Sequence, residues 1–381
     1  METIFYSIFT LLSFGWLHRY LVVRRISASE FFIYPDDTKT SLEFPNVSVL
    51  IPARNEEKNI ARCIQSLINQ NYPNLEIVVI DDRSTDKTSE IVLSISKKHN
   101  NVKLVQIKHC PDGWSGKNHA ITNGVKEANG KYLIFTDADT VHYPLCIKSA
   151  VKYAMENNVD LLSINPHLIT KSFWENVIMP VAGAVLMIWY PVEKINDVSE
   201  SHSYANGQFI LFNRDAYFKI GGHSAVKEEL LEDLALARKI KKEKLNLKVL
   251  WGPDIYQTHM YSSLKDIWRG WVRIFYHGFQ KNLYTIFMSL FLMVSFSILP
   301  YALFIFSFFL LPNPTPITLS IILYAFLLYI IMSAYKLAKS NKWYAFSHLL
   351  GCIMVCGILI HAASKIIFKR KITWRGISYS S

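Results

Sequence analysis

The segment "KYLIFTDADTVH", residues 131–142, places Asp137 and Asp139 at the end of an apolar run with only Ala138 between them. A carboxylate at the end of a buried strand is costly unless a positive charge meets it. A hard divalent ion, Mg2+ or Mn2+, is a fitting partner. It takes oxygen ligands from one or two carboxylates and completes its shell with substrate phosphates. In an extended segment, side chains two apart share a face, so this spacing suits a metal-bound diphosphate. A lone D-x-D also suits a hydrated turn, and its neighbours decide between the two.

Other polar segments offer complementary chemistry. "IPARNEE" (51–57) sets Arg54 or Glu56 against a base or ribose, and it also reads as a helix start with Asn55 capping and Glu56 and Glu57 favouring the dipole. In "VIDDRSTDKT" (79–88), Asp81 or Asp82 would accept hydrogen bonds from a ribose or base, with Ser84 or Asp86 capping the next helix. "GWSGKNHA" (113–120) puts Lys117 at a helix start, where free backbone N–H groups make an anion site. "LLEDLALA" (230–237) supplies Glu232 and Asp233. Transfer to a hydroxyl needs a base for the acceptor's proton, and an acid pair remote in sequence from Asp137 would serve. The same pair also reads as an ordinary acidic first helix turn.

These segments must be positioned by a scaffold. "VSVLIP" (47–52), "LEIVVID" (75–81), "VKLVQI" (102–107), "KYLIFTD" (131–137) and "VDLLSI" (159–164) alternate with helices near 57–70, 86–98, 117–128 and 144–156. Short, continuously apolar runs between helices predict parallel strands covered on both faces. The expectation is a doubly wound α/β sheet, whose ligands bind beyond the carboxyl ends of the strands. "PARNEE", "DDRSTD" and "TDAD" then converge on one edge. Further on, "ANGQFILFNRDAYFKIGGH" (205–223) reads as strand, turn, short helix and glycine loop, and 227–245 as a helix.

Hydrophobic residues make up 51% of the 381-residue chain. They concentrate at 3–17 and in the runs 284–311, 317–335 and 343–364, each later run near or above the roughly 18–20 residues that cross a bilayer. "FWENVIMPVAGAVLMIWYPV" (173–192) and the aromatic-basic helix at 262–279 suit a membrane interface. Of the net charge of +11, residues 284–381 carry +8 and residues 1–25 carry +2, leaving +1 for the remainder. The basic excess therefore flanks membrane segments, where it sets orientation, and nucleic acid is not an expected partner. Five cysteines without a CxxC pair indicate neither a disulfide framework nor a zinc site. "RYLVVRR" after the first apolar run reads as the cytosolic end of an uncleaved anchor. Three later crossings would then leave the basic tail outside, against the positive-inside tendency; a cytosolic tail is the expectation.

The ordered set "IPARNEE", "DDRSTD", "GKNHA", "DAD", "ED" and a tryptophan-bearing helix, over residues 45–275, resembles the family 2 glycosyltransferases with the A-type fold. "DGWSGKNHA", the "GGH" loop, "MYSSLKDIWRGW" and "WRGISYS" are similar to the membrane-bound branch that glycosylates carotenoid and hopanoid lipids. The resemblance implies an α/β, Rossmann-like nucleotide-diphospho-sugar transferase domain plus transmembrane helices. Its divisions are an anchor (1–25), a catalytic domain (45–260), an interface helix (261–283), C-terminal transmembrane helices (284–368) and a basic tail (369–381). It also implies a multi-pass protein of the plasma membrane with its catalytic domain facing the cytoplasm.

The roles follow residue by residue. The turn from Pro52 and Ala53 through Arg54 to Glu56, with Asp81 or Asp82, would bind the nucleotide, while Asp137 and Asp139 hold Mg2+ or Mn2+ on the diphosphate. Lys117 would assist the diphosphate. Asp233, beside Glu232, would be the general base of an inverting displacement, or would position the acceptor if that is a carboxylate. His259 in "QTHMY" would add a metal or phosphate contact, or be a structural histidine. Trp271 matches the tryptophan of the Q-x-x-R-W helix of processive synthases, yet Ile267 and Gly270 stand where that motif has Gln and Arg. The expected partners are a nucleotide sugar such as UDP-glucose, a membrane lipid acceptor and the bilayer. A processive polysaccharide synthase and a non-catalytic sugar-nucleotide-binding protein are the rival readings.

Overall fold

A computed structural model describes residues 2–27, 30–38, 43–310, 314–370, 372–374 and 377–379. The chain divides into two compact units: an α/β unit, Glu30–Ile169 with Tyr190–Met260, and a helical unit, Met1–Ser29, Thr170–Trp189 and Tyr261–Ser381.

The α/β unit is built on strands β1 (Val47–Ala53), β2 (Leu75–Asp82), β3 (Val102–Ile107), β4 (Tyr132–Thr136), β6 (Leu161–Asn165), β8 (Phe209–Asn213) and β9 (Leu247–Trp251). Their order in the sheet is β3-β2-β1-β4-β8-β6-β9. Both faces are covered, as the continuous apolar runs require. Val49, Ile51, Ile77, Val79 and Ile134 pack on one side, with the helices Ile60–Ile68 and Cys146–Glu156. Leu50, Val78, Ile80, Leu133 and Phe135 pack on the other, with Gly116–Lys126 and Glu232–Lys242. This is the period of two written into each strand.

The expected all-parallel sheet is corrected in one respect. β8 runs antiparallel to both β4 and β6, separating strands that the sequence order had placed side by side. Burial on both faces makes a strand apolar whichever way it runs, so direction left no mark on composition. A smaller sheet of β5 (Thr140–His142), β10 (Tyr256–Thr258) and β7 (His167–Leu168) also escaped the sequence reading, its strands being only two or three residues long.

In the helical unit, three helices among the described residues are long and apolar enough to cross a membrane: Leu283–Phe309, Pro314–Leu337 and Lys342–Ile367. The first continues through Pro300 instead of splitting there. Proline lacks the N–H that would satisfy the carbonyl four residues earlier. That carbonyl, of Phe296, accepts the Trp16 indole N–H at 2.9 Å, beside a π-helical stretch at Met293–Ile298. The N-terminal helix Glu2–Ile26, expected as an anchor, is not one of the three. His18 and Arg19 interrupt its apolar run, and Phe5, Leu12 and Trp16 are buried within the helical unit.

The two expected interface segments are helices of the same unit. Residues Phe173–Trp189 form a single helix with Val177, Ile178, Val181, Ala182 and Val185 buried. Helix Leu264–Gly278 buries Ile267, Trp271 and Phe275 and packs on that helix and on His348–Ile367. Other helices of the unit cover these buried residues, while Phe173 and Ile188 remain exposed. Residues 371, 375, 376, 380 and 381 of the basic tail lie outside the described residues.

Strand β1 is locked to the start of β4 by a glycine. Gly130 N–H donates to Ser48 Oγ at 2.7 Å, and a Cβ at residue 130 would collide with the Ser48 backbone nitrogen and stand 2.7 Å from the Tyr132 carbonyl oxygen. Gly130→Ala is expected to lower stability by about 1–3 kcal/mol. Thermal or denaturant unfolding in detergent checks this, and an unchanged midpoint would contradict the packing described.

Candidate active site

The carboxyl ends of β1, β2 and β4 lie adjacent in the sheet, and their loops are tied together by side chains. Pro52 and Ala53 end β1, paired with Ile80 and Asp81 of β2. Beyond them Asn55 takes a left-handed backbone, φ +57°, which asparagine tolerates better than most residues. Its Oδ1 accepts from the Thr85 amide at 2.8 Å and its own amide donates to Ser84 Oγ at 3.0 Å. Glu56 N–H donates to Thr88 Oγ1 at 2.8 Å, and Glu57 N–H to Asp86 Oδ2 at 3.1 Å. Asn55 therefore joins two loops, while the helix it was expected to cap begins at Ile60 with Asn59 at the cap position.

Asp81 and Asp82 are both buried at the end of β2 and do different work. Asp81 folds its own loop, accepting from the Ser84 amide at 3.1 Å and from the Ser89 hydroxyl. Asp82 is held by the Arg83 guanidinium at 2.8 and 3.2 Å, with Arg54 Nη1 at 4.0 Å. Gly116, at the start of the helix carrying Lys117, has no side chain because the Asp82 carboxylate occupies that space. Of the two, Asp82 with its arginines is the group placed at the helix start.

After β4 the chain does not stay extended. Asp137–Thr140 is a tight turn: the Asp137 carbonyl accepts the Thr140 amide at 3.4 Å and the Thr140 hydroxyl at 2.7 Å. The shared-face argument for Asp137 and Asp139 therefore fails. What brings the aspartates to the sheet edge is a reversal from β4 into β5. Beneath it lie Cys63, whose thiol burial pushes up to about 12, and His142, which burial pushes down to about 3. Both are neutral packing groups.

Lys117 is the centre of the charged cluster. Ser115 caps its helix, accepting the Asn118 amide at 3.3 Å. The Lys117 ammonium lies 2.8 Å from Asp137 Oδ1 and 2.7 Å from Glu232 Oε1. Burial works to lower the lysine's pKa, yet the two carboxylates outweigh it and hold the group well above its ordinary value. The partner loop is anchored by a residue the sequence reading left unassigned. Fully buried Asn118 donates through Nδ2 to the carbonyls of Val226 (2.7 Å), Glu229 (3.0 Å) and Lys227 (3.3 Å). The Ser115 amide donates to the Lys227 carbonyl at 2.7 Å. These bonds hold the segment leading into Glu232 against the helix that carries Lys117.

Asp233, next to Glu232 in the first turn of helix Glu232–Lys242, points elsewhere. Its Oδ2 accepts the Gly207 amide at 2.8 Å and its Oδ1 the Leu234 amide at 2.8 Å. Burial first, and then the neighbouring Glu232 charge, push its pKa up, against the opposing pull of Lys117 and the two amides. Glu232 is thus held by lysine, while Asp233 is an acid that readily takes a proton. Beside it the Tyr190 and Tyr204 rings pack tilted at 38° with centroids 5.3 Å apart, and the Asp233 charge adds to burial in raising both phenols. Neither tyrosine nor Gly207 carried a sequence signal.

The remaining expected residues separate. His259 follows β10, whose Thr258 pairs with Thr140, so the strands bring it alongside the Asp139 turn. Even so, the described residues contain no group of three or more His, Cys, Asp or Glu side chains placed to hold a metal. The expected His259 ligand is therefore not part of such a set. Trp271 belongs to the helical unit, where its indole N–H meets Met179 Sδ at 3.3 Å. Gly270, in place of the motif's arginine, is required by the Tyr261 ring, which fills the position of any side chain there.

Comparison with known proteins agrees with this architecture. The model of the family "Glycosyl transferase family 2" matches residues 48–234. The 4,4'-diaponeurosporenoate glycosyltransferase of Staphylococcus aureus (strain USA300) is 29% identical over 234 residues, 60% of this chain. The match spans 60% of that relative's own length, less than two thirds. Among solved structures, the mannosyltransferase PcManGT from Pyrobaculum calidifontis, in complex with GDP-Man and Mn2+, aligns with a TM-score of 0.54 and 18% identity. That alignment covers 96% of this chain and 99% of the other, and shows a shared fold.

Replacing Asn118 with alanine removes a donor from three loop carbonyls, of which those of Lys227 and Val226 keep the amides of Ser115 and Glu229. Losing these bonds is expected to cost about 1–3 kcal/mol, and protease cleavage within 222–231 should increase. Unfolding midpoints and limited proteolysis check both, and a variant indistinguishable from the parent would contradict the anchoring role.

Proposed function

We propose that this chain, which carries a glycosyl transferase family 2 domain over residues 48–234, transfers a sugar, with inversion, from a nucleotide-diphospho-sugar to a membrane lipid of carotenoid or related isoprenoid type. The observation that carries the reading is the Lys117 bridge between Asp137 and Glu232, with Asp233 left as a separate, proton-accepting acid. The lipid acceptor is supported by the relative's named substrate, a polyene carboxylate, and by the three apolar helices. A nucleotide-sugar donor and a divalent ion are supported by the GDP-Man and Mn2+ of the mannosyltransferase. The sugar itself is proposed as glucose, carried by UDP, on family resemblance. The chain is proposed to be multi-pass in the plasma membrane, with the α/β unit facing the cytoplasm.

A divalent cation fits the donor set at the β4 turn. Asp137 and Asp139 offer hard carboxylate oxygens, and a Mg2+ or Mn2+ site needs only one or two of these when phosphates supply the rest. When bound, the ion would neutralise charge on the departing diphosphate. Lys117 adds a fixed positive charge on the same side, and Arg54 and Arg83 flank Asp82 where the nucleoside would lie. On the acceptor side the Asp233 carboxylate takes the proton of the lipid hydroxyl as its oxygen bonds to the anomeric carbon. The bond from that carbon to the diphosphate breaks, and the nucleoside diphosphate leaves with the electron pair.

With a carboxylate acceptor there is no proton to remove. Neutral Asp233 then donates a hydrogen bond to the acceptor, a role favoured by its raised pKa.

The sign of the pH dependence follows. With a hydroxyl acceptor Asp233 works only when ionised, so kcat/KM falls as pH drops through its raised pKa. Glu232→Gln, by removing a neighbouring charge, moves that limb to lower pH. Asp233→Asn is expected to reduce turnover on a hydroxyl acceptor about 100- to 10,000-fold while nucleotide binding persists. Membranes incubated with a panel of radiolabelled nucleotide sugars, followed by lipid extraction, test the reading as a whole. Label in the lipid fraction is expected with at least one donor. Label that stays out of lipid with every donor, or full turnover of Asp233→Asn, would overturn it.

A further inference from the structure

Lys117 and the divalent cation proposed above have a claim on the same group. The lysine ammonium sits 2.8 Å from Asp137 Oδ1, and Asp137 is one of only two aspartates in the β4 turn. Nor can Lys117 readily move aside. Its other partner, Glu232, is a buried carboxylate whose one salt bridge among the described residues is this one. Withdrawing the lysine would leave that charge buried and uncompensated, which is strongly unfavourable. The helix start that carries Lys117 is further fixed by Asn118 and Ser115 on the 226–229 loop.

We propose that Lys117 is a positioning residue that competes with the divalent cation for Asp137, so that the chain binds the cation weakly by itself and tightly only together with a nucleoside diphosphate. The inference rests on the metal assignment made above and adds an order of affinity to it. A monovalent and a divalent charge held by one carboxylate repel strongly at a few ångströms. A diphosphate removes the conflict by bringing negative charge for both. The ammonium has three N–H donors and uses two on Asp137 and Glu232, leaving one for a phosphate oxygen. The cation meanwhile gains phosphate ligands in place of a larger protein cage.

The test is a titration of the full-length protein in detergent with MnCl2, reading free Mn2+ by electron paramagnetic resonance, alone and with saturating UDP or GDP. For the parent chain a nucleoside diphosphate is expected to tighten Mn2+ binding at least roughly tenfold. Lys117→Gln should bind Mn2+ alone at least roughly tenfold more tightly than the parent, while Lys117→Arg, which keeps the charge, should not. Because Lys117→Gln strands Glu232, the double variant Lys117→Gln with Glu232→Gln provides a neutral pair and should show the same tightening. If the parent responds to nucleotide but neither neutral variant binds Mn2+ more tightly alone, the role of Lys117 is overturned and the metal assignment stands. Equal tightening by Lys117→Arg overturns it also, since charge would not be the cause. Absence of Mn2+ binding in every form, with either nucleotide, overturns this inference together with the metal assignment.

Discussion

One partly buried ammonium between two carboxylates organises the α/β unit's charged edge. Lys117 holds Asp137, at the end of β4, and Glu232, at the start of a helix almost a hundred residues later, each within 3 Å. Glu232 is buried and could not sit there alone, because a buried charge without a partner is expensive. Satisfying both with a single lysine also gives the neighbouring acids different surroundings. Glu232 is neutralised in place, and Asp233, bonded to two backbone amides and repelled by Glu232, is left as the group whose proton is easily gained and lost.

The rest of the unit serves that contact. Parallel pairing of β1 with β2 and β4 delivers three polar loops to one edge. Side chains of Asn55, Thr85, Thr88 and Asp86 fasten the first two loops to each other. Asn118 fastens the lysine's helix to the loop before Glu232. The antiparallel β8 matters here as well, since Gly207, just before it, gives Asp233 its backbone donor. A side chain at 207 would begin 3.1 Å from the Asp233 carboxylate, so glycine permits the approach.

Much of this was legible in the residues. The five strands with four helices between them and the convergence of "PARNEE", "DDRSTD" and "TDAD" follow from local pattern, and Lys117 and the "ED" pair stood out as candidates by charge and by family resemblance. What was not legible depends on partners distant in sequence. Burial on both faces hid the direction of β8. The D-x-D spacing suggested an extended pair, whereas Thr140 folds it into a turn. Asn118 looked like any polar residue of a helix start, and its three carbonyl partners lie more than a hundred residues away. Amphipathic patterning marked the helix at 264–278 correctly as half apolar but could not say that protein, in place of lipid, covers Trp271 and Phe275.

In the proposed mechanism a lysine-held donor edge and Asp233 as base place acceptor and leaving group on opposite sides of the anomeric carbon. The configuration of the new glycosidic bond reports this directly. Glycolipid formed by the purified chain can be isolated, and its anomeric configuration read from the one-bond carbon–hydrogen coupling at the anomeric centre by NMR. The account predicts the configuration opposite to that of the nucleotide sugar. A product that retains the donor's configuration would contradict it.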